Sequence, residues 1–187
     1  DKPMDIFGSR WQQHDTRIRE AWTETVGDGD TVVIAGDISW AMSMDDALTD
    51  LAYLDRLPGR KLIGRGNHDY WWGTVNKMKK FFVEQHGLST LEFLYNNAFE
   101  VGEFIVCGSR GWWGGEGLCP SGVDYGKIVA REALRVGLSL DAGERLRAAA
   151  HERGEERELL VFLHFPPAFR DYRCEEIISV LRQHGVK

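Results

Sequence analysis

Two short apolar runs, 31–35 (TVVIA) and 61–64 (KLIG), constrain the fold of this chain more than any other feature. Each is too short for a stable helix, rich in β-branched or aliphatic residues, and followed closely by a glycine and a polar group. The first runs into Gly36-Asp37 and the second into Gly66-Asn67-His68-Asp69. Between them, Ser43 with Asp45 and Asp46 reads as a helix start, a hydroxyl cap followed by an acidic first turn. Leu48, Leu51 and Leu54 carry that helix on until Pro58-Gly59 stops it. Strand, helix and strand in this order predict a parallel crossover, which sets the C-terminal ends of the two strands side by side. Ligands of open α/β sheets gather at those ends, and the glycines let the backbone turn sharply there.

The rest of the chain extends the same pattern. Trp11, His14, Ile18, Trp22 and Thr25 recur at helical spacing over 9–26, and Gly27 can end that helix. A further helix is expected over 74–85, closed by Gly87. Segments 91–95, 99–101 and 104–107 read as strands separated by turns at Asn96-Asn97 and Gly102-Glu103. The Gly- and Trp-rich stretch 109–126 reads as an ordered loop, and 127–158 as mostly helix. A buried strand is expected over 159–163 (LLVFL), ending at His164, and a last helix over 175–184. Helix and strand alternate first and strands cluster later, so the expectation is an α/β fold with a layered sheet core. At 187 residues, with no repeat or linker, one domain over 1–187 is expected.

The chain is 43% hydrophobic and 28% charged, with a formal net charge of −6. That acidic balance argues against a duplex-DNA footprint, which needs a basic surface. It does not argue against a phosphate-bearing substrate, because a bound cation reverses the local field. Cys107, Cys119 and Cys174 are widely spaced, form no zinc-type pair and suggest no disulfide framework, so a reducing cytoplasm is the expected compartment. No apolar run approaches the ~18 residues of a membrane span, and no secretory leader is read.

Asp37, Asn67, His68 and His164 carry the chemistry. A carboxylate can bridge two divalent cations, and a carboxamide oxygen with a neutral imidazole suits manganese, iron or zinc. Two cations ~3.5–4 Å apart clamp a phosphate and lower the pKa of water. His68, beside Asn67, is placed to give a proton to a leaving alkoxide. Arg65 and Arg110 each neighbour a glycine and offer a guanidinium fork to phosphate oxygens, with a salt bridge or surface position as the competing reading. Asp69 reads as a first-turn helix carboxylate. Tyr70-Trp71-Trp72 and Trp112-Trp113 read equally as an aromatic wall for a substrate ring or as core. His14 reads as a packed histidine on a helix face, and His86, His151 and His184 as helix-end or solvated residues. No Gly-x-Gly-x-x-Gly or P-loop is present, which weakens a nucleotide-binding module.

Gly36-Asp37, Gly66-Asn67-His68-Asp69 and a strand-ending His164 resemble, in order, the motifs of the calcineurin-like metallophosphoesterase superfamily. The longer stretches Gly36-Asp37-Ile38-Ser39-Trp40, 65–72 and Ser109-Arg110-Gly111-Trp112 resemble a bacterial branch of predicted phosphohydrolases. The resemblance implies a layered α/β/β/α sandwich of mixed sheets flanked by helices. It also implies hydrolysis of a phosphate monoester or diester, on a small molecule or a nucleotide, by a water activated between two metal ions. By position, Asp37 would bridge the metals, Asn67 and His164 would bind the second, and His68 would be the catalytic acid or would stabilise the transferring phosphoryl group. The family's Asp-x-His motif, whose Asp orients that histidine, and its Gly-His-x-His motif do not occur in this sequence. The chain is therefore expected to lack the two terminal segments and to hold one metal or none as it stands. The alternative implied is a non-catalytic phosphoesterase-like scaffold acting through a partner.

Overall fold

The computed structural model describes residues 4–112 and 122–186. The chain divides into two compact units, Asp1–Ile63 with Asn67–Phe93, and Gly64–Gly66 with Leu94–Lys187. Both mix helices with strands, and the molecule as a whole is an α/β fold with several sheets flanked by helices.

The first unit opens with two 3₁₀ turns, Met4–Phe7 and Ser9–Trp11, ahead of helix α1 (His14–Thr25). The single helix expected over 9–26 is interrupted because Gln13 takes a left-handed conformation, φ 51°. Strand β1 (Thr31–Ile34), helix α2 (Met44–Asp55) and strand β2 (Arg60–Ile63) form the expected crossover. β1 and β2 are parallel and in register from Thr31↔Arg60 to Ile34↔Ile63. Ser43 caps α2 through the Asp46 N–H at 3.2 Å. Helix α3 (Val75–Met78) passes into a π-helical segment, Lys79–Gln85, which widens the expected 74–85 helix after its first turn. Strand β3 (Leu91–Phe93) adds to β2 in parallel.

The sheet order β1-β2-β3 explains its burial. Central β2 hides Leu62 and Ile63 completely, whereas edge strand β1 is half-buried along its whole length instead of buried as expected. Leu51, Met78, Phe82, Leu91 and Phe93 complete this core. Lys61 is fully buried in it, and its ammonium donates to the carbonyls of Asp55, Leu57 and Gly59 and to Thr90 Oγ1. The charge is thus absorbed by orphan carbonyls at the C-terminal end of α2.

In the second unit, β4 (Asn97–Val101) is antiparallel to β5 (Phe104–Ser109), which runs parallel to β6 (Glu158–Leu163). Helix α4 (Tyr125–Glu152) makes the β5-to-β6 crossover, and α5 (Glu175–Gln183) follows a short hairpin of β7 (Ala168–Phe169) and β8 (Tyr172–Arg173). The hairpin carries no apolar alternation and was not legible in the sequence. Ile105, Cys107, Val129, Val136, Leu140 and Ile177 form the core. α4 lies close to the sheet at Gly143, where an added Cβ would stand 2.4 Å from the Cys107 sulfur. β6 packs one face on this core, while Leu160 and Phe162 on the other are each 36% exposed, so this strand is not buried on both sides as expected. Trp113, Cys119 and the rest of 113–121, half of the expected 109–126 loop, lie outside the described residues. No described helix is long and apolar enough to cross a membrane.

Candidate active site

In the first unit the two motifs that follow β1 and β2 are tied together by their own carboxylates. Gly36 and Asp37 both have positive φ, 105° and 58°. For Asp37 that conformation costs on the order of 1 kcal/mol and needs support from its surroundings. The support is Asp69, only 2% exposed. Its Oδ2 accepts the Asp37 N–H at 2.8 Å, and its Oδ1 accepts those of Ile38 at 2.9 Å and Ser39 at 3.3 Å. In return Asp37 Oδ1 accepts the His68 N–H at 2.9 Å. Ser39 extends the lattice, donating to Asp50 at 2.6 Å and accepting the Trp71 indole N–H at its carbonyl. Asp69 is therefore a turn-binding carboxylate rather than a helix cap; α3 starts six residues later, capped by Thr74.

The lattice presents His68 between two aromatic rings. The Trp40 indole stacks on the imidazole at 3.8 Å between centroids and 7° between planes. Tyr70 stands perpendicular to the imidazole, and its hydroxyl lies 3.1 Å from Nδ1. Trp40 and Tyr70 remain 38% and 49% exposed. Trp71 and Trp72 instead pack edge-on against Phe82 and Phe93, so the core reading holds for those two. In the sequence Trp40 stands three residues after Asp37, within Gly36-Asp37-Ile38-Ser39-Trp40, and that nearness is the one local signal of its place beside His68. Asn67 is exposed next to His68. Asp37 and Trp40 also line a groove of about 1280 Å³ with Trp11, Ile18, Trp22 and Tyr53.

The second unit holds His164, Arg65 and Arg110. His164 follows the last residue of β6, beside the end of β5 where Arg110 stands; Ser109 pairs with Leu163, and the Phe165 N–H donates to the Arg110 carbonyl at 2.9 Å. Gly111 fits this junction because φ is 71° and an added Cβ would meet the Phe165 carbonyl at 2.8 Å. The Arg110 side chain meets Glu132 at 3.3 Å, and the same Glu132 oxygen also receives Arg135 at 2.7 Å and Arg131 at 3.4 Å. Glu132 is fully buried. Arg65 and Arg135 both lie over the Tyr95 ring, at 5.8 and 5.9 Å. Burial pushes the Arg110 pKa down, opposed by Glu132 and reinforced by repulsion from Arg65. Arg110 thus takes the salt-bridge reading while remaining in a cluster where guanidinium charge outnumbers carboxylate. Sequence reading missed Tyr95, Glu132 and Arg135, although Glu132 and Arg135 stand at the i,i+3 spacing of a helical ion pair.

Asp37, Asn67 and His68 are therefore brought together in one unit, and His164, Arg65 and Arg110 belong to the other. In the first unit the Asp37 carboxylate and the Asn67 carboxamide oxygen are donor types that fit a hard or borderline divalent cation, and in the second unit the His164 imidazole is a donor type that fits a borderline one. A carboxylate has about four lone-pair directions, so accepting the His68 N–H does not disqualify Asp37 as a ligand. Among the described residues, no three His, Cys, Asp or Glu side chains converge as a metal cluster.

A family model described as calcineurin-like phosphoesterase matches residues 9–187. Gene 66 protein of Mycobacterium phage L5 is 41% identical over 58 residues, a segment covering 31% of this chain and 28% of that protein. The crystal structure of the protein of unknown function AQ665 from Aquifex aeolicus aligns over 91% of this chain and 78% of its own, with 16% identity and a TM-score of 0.36.

Proposed function

Because this chain belongs to the calcineurin-like phosphoesterase family of phosphoester hydrolases, we propose that it hydrolyses a phosphate monoester or diester with the aid of two bound metal ions. The observation that carries the reading is the lattice of Asp69, Asp37 and His68, which fixes a carboxylate and an imidazole on one surface. Asp37, Asn67 and His164 are the residues that would hold the ions. When bound, ions such as manganese, iron or zinc neutralise phosphate charge and lower the pKa of water. The chain's own residues do the rest. Asp69 holds the Asp37 turn in its left-handed conformation, so that carboxylate needs no reorganisation when a cation arrives. His68 donates a proton to the leaving oxygen as the P–O bond breaks. Arg65 and Arg110 supply positive charge for the phosphate oxygens. The substrate class is a phosphate ester, such as a small molecule or a nucleotide, and Arg65 and Arg110 grip its phosphate rather than the group it carries.

The test is turnover of p-nitrophenyl phosphate and bis(p-nitrophenyl) phosphate by the protein in its full genomic reading frame, with metal content measured in parallel. Bound transition metal and cleavage of either ester are expected. Metal binding without cleavage of either leaves the scaffold reading; neither binding nor cleavage overturns the proposal.

A further inference from the structure

We infer that Tyr70 is a positioning residue: its hydroxyl oxygen accepts the Nδ1 proton of His68 while Trp40 holds the ring flat, so that Nε2 is the nitrogen that gives up a proton. The inference rests on the reading of His68 as the proton donor, and it assigns that histidine an orienting partner from this chain's own sequence. Three contacts carry it. The Tyr70 oxygen lies 3.1 Å from His68 Nδ1, within hydrogen-bond range. The Trp40 ring lies 3.8 Å from the imidazole at an angle of 7°, which restricts tilting of the ring. The His68 backbone is fixed by its N–H to Asp37, so the side chain starts from an anchored Cα.

Proton accounting favours acceptance over donation by Tyr70. A histidine that acts as an acid starts as the imidazolium, with protons on both nitrogens. When Nε2 passes its proton to the leaving oxygen and the P–O bond's electron pair goes to that oxygen, the neutral ring keeps its proton on Nδ1. A tyrosine oxygen accepting from Nδ1 serves both states without any change of partner. The opposite arrangement, Tyr70 donating to Nδ1, would oblige the ring to lose its last proton and become an imidazolate. Tyr70 is about half-exposed, so its own hydroxyl can donate its hydrogen bond to water.

The experiment is ¹⁵N NMR of the His68 ring in the full protein, at a pH where the ring is neutral, comparing the parent with Tyr70→Phe and Trp40→Phe. The parent is expected to show the Nδ1–H tautomer, Tyr70→Phe a shift towards Nε2–H, and Trp40→Phe no change of tautomer. In steady-state assays Tyr70→Phe is expected to lower kcat roughly tenfold, a fraction of the 10²–10⁴ that an acid contributes, with KM unchanged. An Nε2–H tautomer in the parent, or a Tyr70→Phe spectrum identical to the parent's, overturns the inference. Where a variant fails to fold, an Nε2–H tautomer in the parent still overturns the inference. Should the tautomer respond to Tyr70→Phe while His68→Ala turns over substrate like the parent, the proton-donor reading fails and the Tyr70 contact stands.

Discussion

The two units handle polar groups in opposite ways. In the first, the site loops form a reciprocal lattice: Asp69 accepts from the Asp37 turn, and Asp37 accepts from His68. Each of these bonds runs between a carboxylate and a backbone N–H, so they fix the shape of the loops and leave the Asp37 and His68 side chains on one surface. In the second, charge is massed instead. Arg110, Arg131 and Arg135 share one oxygen of a buried Glu132, and Arg65 and Arg135 lie over Tyr95. A carboxylate that binds backbone organises a turn, whereas a carboxylate that binds several guanidiniums holds positive charge in place.

The comparison breaks if Asp69 is dispensable. Asp69→Ala strands three backbone N–H groups under a buried side chain and is expected to cost about 3 kcal/mol, read by urea unfolding, with loss of turnover beyond the loss of stability. Glu132→Ala is expected to cost less, about 2–3 kcal/mol, because the guanidiniums it leaves behind are 15%, 28% and 54% exposed and water relieves part of the repulsion. Added salt should shrink the Glu132→Ala loss and leave the Asp69→Ala loss nearly unchanged, since only the former is repulsion between partly solvated charges. Arg131→Ala, which removes the most exposed of the three, should change stability by no more than about 0.5 kcal/mol.

A smaller effect separates the core of the second unit from its charged cluster. Burial pushes the Cys107 thiol up from 9.0 to about 11. Between those values only the unfolded chain releases the proton, so stability falls as pH rises through that window. Below it the folded thiol stays protonated, and Cys107, fully buried, should resist iodoacetamide at pH 8 until denaturant is added. Peptide mapping of the alkylated protein reads this.

The legible part of the fold was the part with strong local signals. The β1–α2–β2 crossover followed from β-branched runs and the Ser43 cap, and the parallel pairing appeared in register. Boundaries slipped where backbone conformation outweighed side-chain pattern, as at Gln13 and in the π-helical turn after Met78. Strand burial was over-read for β1 and β6, because an apolar run cannot tell a central strand from an edge strand. In the candidate site, the placement of Asp37, Asn67 and His68 just after two paired strand ends was legible through the glycines. Asp69's three bonds, the Trp40 stack and the Glu132–Arg110 pair were not, since each joins residues at least twenty-two apart in the chain.

The assignment of Asp37 to metal and His68 to proton transfer is tested most directly by measuring metal content and p-nitrophenyl ester turnover together in Asp37→Ala and His68→Ala. Asp37→Ala should lose both metal and turnover. His68→Ala should keep its metal and lose turnover by about 10² or more. A His68→Ala protein as active as its parent, or an Asp37→Ala protein with full metal and full activity, would contradict the assignment.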